Sequence, residues 1–184
     1  MEAVNTVAVW QPGFVLKSVD LTPHVIEAIN RELSPAQTVA LTAWAEARSR
    51  LVKRRGWVPN PLDAMVDIIT VIDNRATDPR WQHLGHKGVC LQRRQFSCWD
   101  ALGGPENYYA LMDRAQRLLA GEAPSDKLLG CLAATEGCFA GALVDSLSGA
   151  THYIADLLQP WPIWAHGKHP VAARHGHLFF ANIR

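Results

Sequence analysis

The sequence lacks the features that would assign it at once to several classes of protein. Its 18 lysines and arginines nearly balance its 17 aspartates and glutamates, so no global field recruits a polyanion such as a nucleic acid. Its apolar runs stay well short of the roughly 20 residues that cross a bilayer, so we expect no stable membrane insertion. Hydrophobic residues make up 48% of the 184 residues, which is enough apolar material for one folded domain.

Cysteine motifs are also missing. The chain has four cysteines and none of them forms a C-x-x-C pair, so neither a zinc ribbon nor a thioredoxin-type site is predicted. Four cysteines allow three pairings, and the sequence does not choose among them. Buried free thiols are the expectation for a chain made in a reducing cytosol.

Two H-x-x-H pairs, His83 with His86 and His166 with His169, bring a zinc peptidase into consideration, together with His175 and His177 near the end of the sequence. The helix signature of such an enzyme is instead H-E-x-x-H, with a glutamate beside the first histidine. No glutamate adjoins either pair, and glycine and proline are frequent around them. We therefore interpret these histidines as surface residues, and the sequence predicts no metal and no other cofactor.

The first helix signal follows an N-terminal segment of weak periodicity. Residues 1–33 are predicted to be an irregular or partly extended arm, and residues 34–184 to be the folded domain. Ser34 and Gln37 have the spacing of a capping box, with Pro35 suited to the first helical turn. The helix should begin there and continue to about Val52.

Apolar periodicity and end signals predict three further helices. They should begin at Pro61, at Pro105 and after Ser125. Residues 76–104 are predicted to be a loop with a short strand, and the segments GATHYIAD and GHLFF to be short strands or loops. The expected fold class is mainly α with a small β element, in a single domain.

Glu46 stands out because it lies within an otherwise apolar run, TVALTAWAEARSR. Burial of a charged carboxylate is costly unless the charge is paired. Arg50 lies four residues later on the same helical face and offers an ordinary ion pair. Alternatively, desolvation disfavours the charged form, which would let Glu46 donate a proton near neutral pH as a general acid.

Five motifs in a fixed order favour the second interpretation. They are AWAEARS, VIDNR, QFSCWD, GATHYIAD and GHLFF. The ordered set, over about residues 36–182, resembles the catalytic domain of bacterial spore cortex-lytic enzymes and related cell-wall hydrolases. The resemblance implies a lysozyme-like α+β fold and an enzyme that cleaves the β-1,4 bond between N-acetylmuramic acid and N-acetylglucosamine in peptidoglycan. The glutamate of the family's E-A-R motif corresponds to Glu46.

The resemblance also implies a mechanism, since many family members are lytic transglycosylases in which one carboxyl group makes both proton transfers. Glu46 would protonate the leaving oxygen and then accept the proton of the C6 hydroxyl that attacks C1, which gives a 1,6-anhydromuramyl end. Glycosidases usually need two carboxyl groups, and the sequence offers no second acid in a comparable context. A hydrolytic muramidase of the same family and a non-enzymatic peptidoglycan-binding or virion module are the alternatives.

Two of the motifs supply the expected substrate contacts. They are Gln95, Phe96 and Ser97 in QFSCWD, and Thr151, His152 and Tyr153 in GATHYIAD. Amide and hydroxyl groups suit the N-acetyl and hydroxyl groups of sugars, and an aromatic ring could stack on a sugar ring. Tyr153 could hold Glu46 or orient the muramyl residue, whereas a purely structural role is equally expected for His152.

The sequence departs from the family pattern directly after the E-A-R motif. Ser49 stands where the relatives have glycine, and a basic segment that contains Trp57 replaces a short turn. We therefore expect the chain to differ from its relatives at the entrance of the groove and in its range of substrates, and to share the catalytic role of Glu46.

The N-terminal segment MEAVNTVAVWQPGF has no basic region followed by a long apolar stretch, so no secretory signal is predicted. We expect a monomer that is made in the cytoplasm and acts on the glycan strands of the cell wall. A phage lysin released by a holin, a lysozyme carried in a virion and a bacterial enzyme with another export route all fit this expectation.

Overall fold

A computed structural model of the chain describes residues 6–8, 18–20, 23–47, 61–101 and 105–183. In these residues lie six α-helices: α1 (Pro23–Glu32), α2 (Pro35–Glu46), α3 (Pro61–Thr77), α4 (Gly85–Leu91), α5 (Pro105–Leu119) and α6 (Asp126–Phe139). Single turns of 3-10 helix occur at Gln82–Leu84, Ser97–Trp99 and Ile163–Ala165. With the small sheet described below, the prediction of a mainly α fold with a small β element is confirmed. The expected likeness to lysozymes stays a prediction.

Helix α2 lies at the centre of the core. Its residues from Thr38 to Ala45 are all buried, and the helix packs against α3, α4, α5 and α6. A helix that is apolar on every side must be enclosed in this way.

In the part of the chain that is described, no helix combines the length and the apolar character needed to cross a membrane.

The N-terminus of α2 is the predicted capping box. The side chain of Ser34 accepts a hydrogen bond from the backbone N–H of Gln37 at 3.1 Å, and the side chain of Gln37 accepts one from the backbone N–H of Ser34 at 2.8 Å. The helix ends at Glu46, with Ala47 as its C-cap. The predicted extension to about Val52, the expected partner Arg50 and the basic segment lie outside the described residues.

The segment between α3 and α5 differs from the predicted loop with a short strand. Residues 78–101 contain α4 and two 3-10 turns, and no strand is formed within them. Helix α4 has the sequence GHKGVCL and turns Val89 and Cys90 into the core. Two turns with two glycines are too short for a helical apolar period to stand out, which is why the pattern missed this helix.

The predicted N-terminal arm also contains regular structure. Strand β1 (Thr6–Ala8) pairs antiparallel with strand β2 (Ser18–Asp20), and α1 follows. Ile29 and Leu33 are each only 2% exposed and belong to the core. The extended part of the prediction is confirmed for the two strands, and the expectation of irregular structure is wrong for α1. The division of the chain at residues 33 and 34 stays a prediction.

A three-stranded antiparallel sheet follows the helices. Its strands are β3 (His152–Ala155), β4 (Ala172–Arg174) and β5 (His177–Phe180), in the order β3-β5-β4. Tyr153 pairs with Phe179 in the register of β3 and β5. Of the two predicted alternatives for GATHYIAD and GHLFF, short strands or loops, the structure forms strands.

The sheet is fixed to helix α3 by polar contacts. Asn74 donates a side-chain hydrogen bond to the carbonyl of Ala150 at 3.1 Å, and Nε of Arg75 donates to the carbonyl of Thr151 at 2.5 Å. These bonds reach the backbone just before β3. The start of this strand is therefore held at a fixed position relative to α3.

Candidate active site

Glu46 is the last residue of α2. Every residue from Thr38 to Ala45 before it is buried, whereas Glu46 itself is half-buried. The carboxylate therefore lies where the buried helix reaches the edge of the core, and not in the middle of a buried run. A carboxylate at this end of a helix faces the negative end of the helix dipole, so its charge must be balanced by other groups.

Three hydrogen-bond donors meet at the carboxylate of Glu46. Oε1 accepts from the backbone N–H of Cys98 at 2.8 Å and from the hydroxyl of Ser97 at 3.2 Å. Oε2 accepts from the phenolic hydroxyl of Tyr153 at 3.0 Å. The first two donors come from the 3-10 turn Ser97–Trp99 and the third from strand β3, so distant parts of the chain converge on one side chain.

The two oxygens of Glu46 have different capacities for a proton. The N–H of Cys98 can only donate, so Oε1 must remain an acceptor. A hydroxyl can donate or accept, so the Tyr153 oxygen can accept a hydrogen bond from a protonated Oε2. The arrangement satisfies both the carboxylate and the carboxylic acid, with the proton on Oε2 in the acid.

A buried guanidinium lies within electrostatic range of this carboxylate. Arg75 is only 4% exposed, and its guanidinium carbon lies 4.9 Å from the ring centroid of Phe96 and 5.8 Å from that of Trp81. Burial lowers the pKa of Arg75, and the charge of Glu46 is among the interactions that oppose this shift. Arg75 therefore supplies positive charge to the site from within the core.

Of the residues predicted to contact substrate, the structure brings Ser97 and Tyr153 to Glu46. Phe96 and Thr151 are 2% and 5% exposed, and their contacts with Arg75 support the site from inside. Gln95 is half-buried in the turn before Phe96, where its backbone N–H bonds to the carbonyl of Gln92 at 3.1 Å.

His152 lies between two tryptophans beside Tyr153. Its ring centroid is 5.9 Å from that of Trp81 and 5.0 Å from that of Trp164, and its Nδ1 lies 3.0 Å from the hydroxyl oxygen of Thr151. Burial, with a contribution from the charges of Arg75 and other groups, lowers the pKa of His152 to about 4. The ring is therefore neutral near neutral pH and forms part of an aromatic row.

Two further residues of the site were not predicted from the sequence. Arg75 ends the motif VIDNR but is given no role from the sequence, and the interpretation of His177 in GHLFF as a surface histidine is wrong. His177 is 4% exposed, and its ring centroid lies 5.3 Å from that of Tyr153 in an edge-on contact. Burial lowers the pKa of His177, against the opposing charges of Glu46, Asp67 and Asp156. A charged residue in the last turn of a largely apolar helix was the available signal for Arg75.

The four cysteines are buried free thiols, as predicted. Burial raises the pKa of Cys90, of Cys131 and of Cys138 to about 12 and also raises that of Cys98. Only a thiolate is an effective nucleophile, so these thiols do not suit nucleophilic catalysis. Cys98 contributes to the site through its backbone N–H.

One of the histidines interpreted as a surface residue belongs to a cluster. His83 is exposed, but the side chain of His86 is only 29% exposed and its Nε2 lies 2.8 Å from Oδ1 of Asp73. Cys138 completes a group whose ligand atoms all lie within 4.8 Å of one another. No sequence motif with these spacings predicts such a group.

The part of the chain that surrounds Glu46 matches a known protein family. A family model described as Cell Wall Hydrolase matches residues 60–181, more than half of the chain. The matched residues include all three donors to the carboxylate and Arg75, whereas Glu46 itself lies before the first matched residue. No curated protein and no solved structure matches the chain.

Proposed function

Because the chain belongs to the cell-wall hydrolase family, whose members degrade peptidoglycan, we propose that it cleaves the glycan strand with Glu46 as the catalytic residue. The proposed bond is the β-1,4 link between N-acetylmuramic acid and N-acetylglucosamine. The observation that carries the proposal is the convergence of Ser97, Cys98 and Tyr153 on the carboxylate of Glu46. A carboxyl group held in one orientation by three donors at the edge of the core suits directed proton transfer.

In the first step Glu46 acts as an acid. The proton on Oε2 passes to the glycosidic oxygen as the bond from C1 to that oxygen breaks. The Tyr153 hydroxyl, which accepts from Oε2 in the acid, turns to donate to the same oxygen in the carboxylate. Arg75 and the N–H of Cys98 stabilise the negative charge that develops on Glu46.

In the second step Glu46 acts as a base. The C6 hydroxyl of the muramyl residue attacks C1, and its proton returns to Oε2 of Glu46. The new bond from O6 to C1 closes a 1,6-anhydro ring, so the reaction consumes no water and restores the acid. An attacking group that is already part of the substrate is positioned without the entropic cost of ordering a water molecule.

The alternative mechanism, hydrolysis, would need a second carboxylate beside Glu46. Asp67 is 3% exposed and binds Arg174 and His175, so its carboxylate is already engaged. Asp156 follows strand β3, and its charge, like that of Glu46, acts on His177. Asp156 is therefore the residue to test as the second acid of a muramidase.

Substitution of Glu46 separates these enzymatic proposals from a non-enzymatic binding module. Glu46→Gln should keep the bond from Cys98 to the amide oxygen and should let the amide donate to Tyr153, so the fold should be retained. The rate at which the protein clears a suspension of cell walls should fall ~10²-fold or more. Glu27→Gln, on the exposed face of α1, is the matched control and should clear walls at the wild-type rate.

Two outcomes of this experiment would contradict the proposal. Full activity of Glu46→Gln would remove Glu46 from the mechanism. A wild-type protein that binds walls but does not clear them would favour the binding module.

The family places the site of action at the cell wall. We further propose that the chain works as a monomer on glycan strands and is delivered as a phage lysin or in a virion. Sedimentation of the purified protein tests the first point, and expression with and without a holin tests the second.

A further inference from the structure

The cluster of Asp73, His86 and Cys138 joins three helices outside the site at Glu46. Asp73 lies on α3, His86 on α4 and Cys138 on α6. Their ligand atoms all lie within 4.8 Å of one another. We propose that this cluster binds a zinc-class transition-metal ion that fastens the three helices together.

The donor set selects the class of metal. Zinc and related borderline ions bind thiolate sulfur, imidazole nitrogen and carboxylate oxygen, and this cluster offers one of each. Calcium and magnesium prefer oxygen ligands in greater number, so a thiol and an imidazole argue against them. Three protein ligands leave one tetrahedral position for water.

The geometry allows an ion to enter with little rearrangement. Zinc bonds of about 2.0–2.3 Å place tetrahedral ligand atoms roughly 3.3–3.7 Å apart. Because the ligand atoms lie within 4.8 Å of one another, they need to approach by no more than about 1.5 Å. The side chains of Asp73 and His86 are 35% and 29% exposed, so both can shift and both border solvent. Cys138 is 7% exposed and is the fixed member.

The surroundings orient the ligands before an ion binds. Nε2 of His86 lies 2.8 Å from Oδ1 of Asp73, and the ring centroid of His86 lies 4.6 Å from that of Phe139. An ion would replace this hydrogen bond, with the ring hydrogen on Nδ1, and would bind the sulfur as thiolate, so that the thiol proton passes to solvent. No oxidant or reductant is required.

The proposed ion would act on the helix that carries Arg75. Asp73 lies directly before Asn74 and Arg75, whose side chains hold the backbone before β3. A metal that links Asp73 to α4 and α6 would restrict movement of this end of α3. The predicted role is structural, and it is independent of the mechanism proposed for Glu46.

Titration with cobalt(II) tests the site directly, because a cobalt–thiolate bond has a charge-transfer absorption in the near ultraviolet. The wild-type protein, freed of metal with a chelator, should bind one equivalent with this absorption, and zinc(II) should displace the cobalt. His86→Ala should weaken binding at least ~10²-fold, since loss of even an outer partner of a metal ligand costs 10–100-fold. Cys138→Ser should abolish the absorption.

His83→Ala is the matched control, since His83 belongs to the same H-x-x-H pair but is exposed and lies outside the cluster. It should bind cobalt as the wild type does. The proposal is overturned if the wild type shows no cobalt–thiolate absorption, or if His86→Ala and His83→Ala bind equally. Circular dichroism of each variant checks that it is folded. If Cys138→Ser does not fold, the comparison of His86→Ala with His83→Ala still tests the site.

Discussion

The hydroxyl of Tyr153 donates a hydrogen bond to Oε2 of Glu46 at 3.0 Å, although the two residues are 107 positions apart. The phenol ring is held by rings on its own sheet, with centroids 5.3 Å from His177 and 6.1 Å from Phe179. Burial raises the pKa of Tyr153 well above its ordinary value, and the charge of Glu46 adds to this effect. The phenol therefore keeps its hydrogen near neutral pH and remains available to Glu46.

Tyr153→Phe should reduce the rate of wall degradation ~10- to 100-fold, because a hydrogen bond to a charged group contributes about 1.5–3 kcal/mol. The ring contacts are retained, so stability should change little. The measurement is kcat and KM on soluble glycan fragments, and the loss should appear in kcat.

Tyr109→Phe is the matched control for Tyr153→Phe. Tyr109 lies on α5, where its ring meets that of Tyr108 at a centroid distance of 5.5 Å. A rate for Tyr153→Phe equal to that of Tyr109→Phe would remove the phenol from the proposed mechanism.

Arg75→Lys should destabilise the protein by about 1–3 kcal/mol, because lysine cannot reproduce the bond from Nε to the Thr151 carbonyl or the planar contact with Phe96. Urea unfolding measures the change. Arg93→Lys, on an exposed turn, should leave stability unaltered. Equal unfolding midpoints for the two variants would contradict the role given to Arg75.

The pKa of His152 predicts a loss of stability in mild acid. The pKa is lowered to about 4 in the folded protein from an ordinary value of 6.5. Between these two pH values His152 binds a proton in the unfolded chain but not in the folded chain. The contribution of His152 to stability is therefore fully present above pH 6.5 and falls as the pH drops toward 4. Solvent screening of the half-buried ring limits the effect between pH 7 and pH 5 to about 1 kcal/mol.

Urea unfolding of the wild type and of His152→Gln at pH 7 and pH 5 measures this contribution. The wild type should lose more stability than the variant, since His177 titrates in both and its effect cancels. His83→Gln, at an exposed position, should behave as the wild type. If His152→Gln loses as much stability between pH 7 and pH 5 as the wild type does, the lowered pKa of His152 is contradicted.

Asp67→Asn should weaken the attachment of the end of β4 to α3. Asp67 is 3% exposed and accepts hydrogen bonds at 3.0 Å from Nε of Arg174 and at 2.7 Å from Nδ1 of His175. Loss of the buried carboxylate should cost about 2–3 kcal/mol, less than for a fully buried pair because Arg174 can hydrate. Asp63→Asn, exposed on the same helix, is the control, and an equal free energy of unfolding for the two variants would show that the contact is dispensable.

Long patterns made much of the fold predictable from the sequence. Pro61 and an apolar period over four turns mark α3, and the capping box at Ser34 marks the start of α2. Helix α4 could not be predicted, because seven residues with two glycines do not establish a period.

The central carboxylate could be predicted, but much of its environment could not. Ser97 and Tyr153 stand out in the sequence, yet their meeting at Glu46 depends on the packing of β3 against the helices. Cys98 contributes a backbone N–H, which no side-chain motif encodes. Asp73, His86 and Cys138 are brought together only by the packing of three helices.

Mass spectrometry of the muropeptides released from purified peptidoglycan tests the central claim most directly. With the wild type, we predict fragments that end in 1,6-anhydromuramic acid, which are lighter by one water molecule than the hydrolysed fragments. Asp156→Asn should release the same fragments, whereas Glu46→Gln should release almost none. Two results would contradict the account. One is that the wild type releases fragments with reducing muramic acid ends and Asp156→Asn does not. The other is that Glu46→Gln cleaves at the wild-type rate.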